Sequence, residues 1–122
     1  MILVDTSVWA DHWRSRLVEL DRLLAADQVA MHPFVLGEIA MGYLHPRHEI
    51  LETLDSIPKI DTAEDAEALA FIERHKLFGT GIGYIDVHLL AASVLNLTPL
   101  WTRDKRLHAC ADKLKLAARG LT

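Results

Sequence analysis

The sequence predicts an α/β fold, three layers deep (α/β/α) around a short parallel sheet. Short apolar runs of strand length alternate with longer stretches of helical periodicity. The runs lack the polar alternation of a half-exposed strand, so helices are expected to cover both faces of the sheet. Strand–helix alternation also joins parallel neighbours through crossover helices. At 122 residues, the chain matches the roughly 100–150 residues of one domain. Residues 1–122 are therefore expected to fold as a single domain.

Met1 to Val4 is apolar and stops abruptly at Asp5, as a buried first strand does. Asp5, Thr6 or Ser7 can cap the next helix, on which Trp9 and Trp13 stand one turn apart. Leu17, Leu20 and Leu24 mark an amphipathic second helix. Val29–Met31 is a second strand. Pro33, which has no N–H to waste in a first turn, opens a helix over Phe34 to Tyr43. Pro46 opens another, to about Ser56, and Pro58 follows its end. Lys59–Asp61 is expected as a third strand and Ala63 to His75 as a helix. Gly79-Thr80-Gly81-Ile82-Gly83 is a loop. It leads into Tyr84 to Leu95, a helix apolar on nearly all sides and hence buried. Thr98–Trp101 is a fourth strand, Asp104 to about Lys113 a helix, and Leu114–Ala117 a short last strand.

Composition narrows the function classes. Apolar residues make up 51% and charged residues 25%, which excludes a disordered chain. The one cysteine, Cys110, forbids an internal disulfide, is expected in the core, and fits a reduced, cytoplasmic setting. No apolar run approaches the roughly 18 residues of a membrane span, and the start lacks the positive region of a signal peptide. Neither membrane insertion nor secretion is expected. The net charge is −4, but residues 103–122 carry six basic and two acidic side chains against 7 and 15 before them. A basic end on an acidic body can steer a polyanion to one edge, or can simply be a solvated helix face.

Four acids stand out. Asp5 ends the first strand, and Asp104 follows the strand at Trp101 by three residues. Glu38 and Asp86 sit in apolar helical sequence, where an unpaired carboxylate is costly. Singly, each has an ordinary reading: a helix cap for Asp5 and Asp104, a first-turn acid for Asp86, an ion pair or solvated side chain for Glu38. Ligands of parallel sheets sit at the carboxyl ends of the strands, and all four acids can converge there. Like charges so close call for a divalent cation, and an all-oxygen site suits Mg²⁺ or Mn²⁺. Such a site aligns a water on a phosphodiester and stabilises the leaving oxygen.

Taken together, four segments carry a resemblance. Asp5-Thr6-Ser7-Val8-Trp9 resembles the opening motif of the PIN domain family, and Glu38 in Leu36-Gly37-Glu38-Ile39-Ala40 its second acid. Asp86 in Ile85-Asp86-Val87-His88-Leu89-Leu90 resembles the third, and Asp104 in Thr102-Arg103-Asp104-Lys105-Arg106-Leu107 the fourth. The length is most similar to the toxin branch, the VapC-like ribonucleases of type II toxin–antitoxin pairs. That resemblance implies strand order 3-2-1-4-5, a homodimer, and neutralisation by a small VapB-like antitoxin. It also implies Mg²⁺-dependent endoribonuclease activity on cellular RNA, by metal-activated water, with Mn²⁺ as a substitute. Asp5, Asp86 and Asp104 would be direct metal ligands and Glu38 a ligand through water or a water-orienting base. Thr6, Ser7 and Thr102 would support them through hydrogen bonds.

Arg103, Lys105 and Arg106 flank Asp104 and are the local candidates for RNA phosphate contacts. The glycine loop lacks the GxGxxG spacing of a phosphate cradle and is expected to be a turn into the Asp86 helix, its amides a minor candidate for a phosphate. His48-Glu49 fails the HExxH zinc pattern, because Glu52 stands where the second histidine belongs. His88 lies about 200° round the helix from Asp86 and is expected to point elsewhere. Trp9 and Trp13 are expected in the core, or at a dimer or antitoxin interface. The alternatives are a PIN-fold binding module without cleavage and a metal-dependent phosphohydrolase. An aspartyl-nucleophile enzyme wants a second acid where Ser7 stands.

Overall fold

The computed structural model describes residues 1–122. Its elements are β1 (Ile2–Val4), α1 (Thr6–Arg14), α2 (Val18–Ala25), β2 (Val29–Ala30), α3 (Pro33–Ala40), α4 (Arg47–Asp55), α5 (Asp65–His75), α6 (Tyr84–Asn96), β3 (Leu100–Trp101) and α7 (Lys105–Lys113). The fold is α/β with a short parallel sheet, as the alternation predicts. β1 is central and pairs in parallel with both neighbours, in the order β2-β1-β3. Leu3 lies opposite Ala30 on one side and Leu100 on the other.

Five strands are expected from the sequence, and three form. Lys59–Asp61 makes one parallel bridge, Lys59 to Met31, and Leu114–Ala117 one, Ala117 to Leu100. Each segment lies on an outer edge, where pairing is available from one side only. Pro58 also has no N–H to extend the first of them. Other elements are also shorter than expected, α5 starting at Asp65 and β2 ending at Ala30. The helix after Pro33 ends at Ala40, where Arg47 donates to the carbonyls of Ala40 (2.7 Å) and Gly42 (3.2 Å) in place of further helical N–H groups. β3 begins only after Pro99.

One apolar core of 24 buried residues runs through the sheet and its helices. β1 gives Leu3 and Val4, and α6 gives Val87, Leu89, Leu90 and Ala92. α6 is buried from Val87 to Ser93, which is why its sequence is apolar all round. Cys110 is buried. Trp9 is in the core, while Trp13, its ring 5.8 Å away, remains 43% exposed. No helix is long and apolar enough to cross a membrane.

Because every strand is parallel, all three end at one edge. Asp5 follows β1 there, His32 precedes α3, and Thr102 to Asp104 follow β3. His32 is fully buried and caps α3, its Nδ1 accepting the Phe34 N–H at 2.9 Å. Nε2 therefore carries the proton. Around it stand the rings of Phe34 and His88, with Tyr84 and Asp65 beyond on His88's far side. Burial first, and the neighbouring His88 second, hold the His32 imidazole down to about 4.

The unfolded chain takes up that proton near pH 6.5 and the folded chain only near pH 4. Stability from this group is thus complete above pH 6.5 and is lost as the pH falls toward 4. The loss should be on the order of 3 kcal/mol by denaturant unfolding. A His32→Asn variant keeps a capping acceptor and should unfold with a much flatter pH dependence over that range.

Candidate active site

Asp5 is only 5% exposed and is the best-held of the four acids. As N-cap of α1 it accepts the Ser7 N–H at 3.4 Å. The same oxygen, Oδ2, accepts the hydroxyls of Ser7 (2.6 Å) and Thr102 (2.8 Å). The two hydroxyls lie 3.2 Å apart. Ser7 Oγ also takes the Arg103 N–H at 2.9 Å, and Thr102 Oγ1 the Asp104 N–H at 3.1 Å. One carboxylate oxygen thereby ties the start of α1 to the segment leaving β3. Oδ1 of Asp5 has no partner within the chain.

The other three acids repeat this division. Glu38 on α3 accepts the Thr6 hydroxyl at 2.8 Å through Oε1, which links α3 to α1. Asp86 in the first turn of α6 accepts the Gly83 N–H at 3.0 Å through Oδ2. Asp104 caps α7, its Oδ1 accepting the Leu107 N–H at 2.9 Å. In each case the second carboxylate oxygen is free. None of the four enters any of the protein's seven ion pairs.

The four also act on one another. Burial pushes the Asp86 carboxyl above the usual range, the Gly83 N–H pulls it back, and the charges of Asp5, Asp104 and Glu38 push it further up. Four mutually repelling carboxylates with four free oxygens form a hard donor set, the kind Mg²⁺ and Mn²⁺ prefer. No three His, Cys, Asp or Glu side chains are arranged to grip an ion unaided. Mg²⁺ commonly keeps several waters and takes one or two carboxylates, so it asks less of the side chains than that.

The basic candidates part company. Arg103 is engaged: its Nε pairs with Asp11 on α1 at 2.8 Å and its Nη1 donates to the Thr122 carbonyl at 2.8 Å. Asp11 also pairs with Arg14, whose hydrogen bond lowers the Asp11 pKa, with Arg103 adding to the effect. Asp11 thus secures the segment that carries Asp104, and nothing in its sequence setting singles it out. Lys105 and Arg106 are exposed and make no ion pair. His88 is 2% exposed and, as its helical position predicts, points away from the acids, its Nε2 lying 3.3 Å from Asp65.

The PIN domain family profile matches residues 2–113. Among curated proteins, the chain is 40% identical to Ribonuclease VapC32 of Mycobacterium tuberculosis over 114 residues, 92% of each chain. Two solved structures share the fold at 22% identity. One is a toxin–antitoxin complex from Klebsiella pneumoniae, with a TM-score of 0.69 over 89% of this chain and 91% of that one. The other is FitAcB from Neisseria gonorrhoeae, with a TM-score of 0.66 over 92% and 94%.

Thr102→Val keeps the shape of the side chain but removes the hydroxyl from buried Asp5. It should lower unfolding free energy by about 1–3 kcal/mol in chemical denaturation. Ser7→Ala should cost a similar amount, and the pair should combine non-additively because both serve one oxygen.

Proposed function

Since the chain belongs to the PIN domain family, we propose that it is a metal-dependent endoribonuclease, the toxin of a toxin–antitoxin pair, acting as one domain over residues 1–122. One observation carries the reading: four carboxylates at the carboxyl edge of the sheet, none paired with a cation, each with one oxygen fixed and one free. A merely structural acid in an apolar helix is paired or solvated. Glu38 and Asp104 are exposed and Asp86 half-buried, yet each is oriented by a hydrogen-bond donor and none meets a cation.

Asp5, Asp86 and Asp104 would hold Mg²⁺, or Mn²⁺ in its place, through their free oxygens. The cation supplies charge stabilisation at the scissile phosphate and a more acidic water. The remaining work belongs to the side chains. Ser7 and Thr102 fix Asp5 so that its free oxygen keeps its direction. The Gly83 N–H does the same for Asp86, and the Leu107 N–H for Asp104. Glu38, aimed by Thr6, orients the attacking water and takes up its proton. The water's oxygen bonds to phosphorus while the bond to the leaving nucleotide's oxygen breaks.

A VapB-like antitoxin and a second copy of the chain are the expected partners, by family and by the toxin–antitoxin assembly among its structural relatives. A cytoplasmic setting is the expected one, where cellular RNA is at hand and a single cysteine needs no oxidising compartment.

Purified protein incubated with total cellular RNA should cut it in Mg²⁺ or Mn²⁺ and leave it whole in EDTA. An Asp86→Asn variant with an unchanged circular dichroism spectrum should make none of those cuts. RNA left intact by folded wild-type protein in both metals would instead leave a binding module.

A further inference from the structure

The glycine loop and the basic end of the chain meet at one point that the catalytic reading does not use. Gly81, in the turn between α5 and α6, has φ +89°, a conformation that L side chains rarely adopt. A Cβ there would stand 2.9 Å from Cδ of Arg106, 3.1 Å from its Nη1 and 3.2 Å from its Nε. The Arg106 side chain therefore lies flat against the loop backbone, in the space a side chain at 81 would fill.

That placement is informative because of what Arg106 does not do. Asp104 is two residues before it and Asp86 five residues after Gly81, so the contact flanks the acidic cluster. Yet Arg106 enters none of the protein's ion pairs. Arg103, by contrast, is spent on Asp11 and Thr122. Lys105 lines a hollow with Thr102, Arg103 and His108. An arginine laid along a backbone has already given up much of its rotamer freedom. Its planar guanidinium presents paired donors of the geometry a phosphate accepts.

We infer that Arg106, held against Gly81, grips a backbone phosphate of the substrate strand next to the one at the carboxylates, and that Gly81 is the residue that positions it. The inference rests on the endoribonuclease reading and adds to it the residue that holds the strand. A methyl group at 81 would meet the Arg106 side chain and would also strain the loop backbone at φ +89°, so the effect of Gly81→Ala is read beside that of Arg106→Gln.

Binding of a short labelled single-stranded RNA of mixed sequence, measured against salt in an Asp86→Asn background with Mg²⁺ present, tests this. Cleavage by the otherwise wild-type protein is followed in parallel. Arg106→Gln should weaken binding about tenfold and reduce the slope of log affinity on log salt by about one. Gly81→Ala, whose backbone strain is read separately from the melt, should weaken binding as well, and the double variant should bind no more weakly than Arg106→Gln alone. A thermal melt of each variant accompanies the titrations. If Arg106→Gln lowers only the melting temperature, or changes nothing, while RNA is still bound and cut, the inference is overturned and the nuclease reading stands. If protein retaining Arg106 neither binds nor cuts RNA, both fall.

Discussion

A single oxygen, Oδ2 of Asp5, joins three things that a small α/β protein must otherwise secure separately. It caps α1, and through Thr102 it ties the end of β1 to the end of β3 across 97 positions of sequence. By accepting all of its bonds on one side it also leaves Oδ1 pointing free. A carboxylate that is 5% exposed is tolerable only with such partners, since burial without them costs several kcal/mol. The fold and the site therefore depend on the same atoms. Loss of the hydroxyls around Asp5 would loosen the sheet edge and the chemistry together.

The remaining acids show what such an edge costs the fold. Glu38, Asp86 and Asp104 belong to three different helices or their caps, and each is steadied by one donor, from α1 for Glu38 and from its own neighbourhood for the other two. Burial first, and the charges of Asp5, Asp104 and Glu38 after it, raise the Asp86 pKa, and the repulsion among them opposes the packing that brings α1, α3, α6 and α7 to one rim. Proteins keep a destabilising cluster of this kind where something else is to be bound in it. A divalent cation would relieve part of that repulsion and give an anionic phosphodiester a positive centre to approach.

Much of this is legible in the residues. Met1 to Val4 stopping at Asp5 and Pro33 opening a helix fix local elements by period and by backbone chemistry alone. So does the all-apolar run after Asp86. The four acids become conspicuous because two of them interrupt apolar helices and two end apolar strands. What sequence does not carry is contact at long range. Whether Lys59–Asp61 forms a strand or one bridge depends on how much of an edge its neighbour leaves open. That Arg103 would be taken by Asp11, and that Arg106 would lie on Gly81, depends on how α1, α7 and a loop are docked. His32 gives no sign in sequence that its imidazole will cap a helix from within the core, because histidine serves that role seldom.

The central claim is that these four carboxylates form one cation site. Its most direct test is calorimetric titration of Mn²⁺ into the purified protein without RNA, for wild type and for Asp86→Asn of equal thermal stability. The account predicts saturable binding by wild type, weakened on the order of tenfold or more in the variant. Equal affinity in the two proteins, or no saturable binding by the folded wild type, would contradict it.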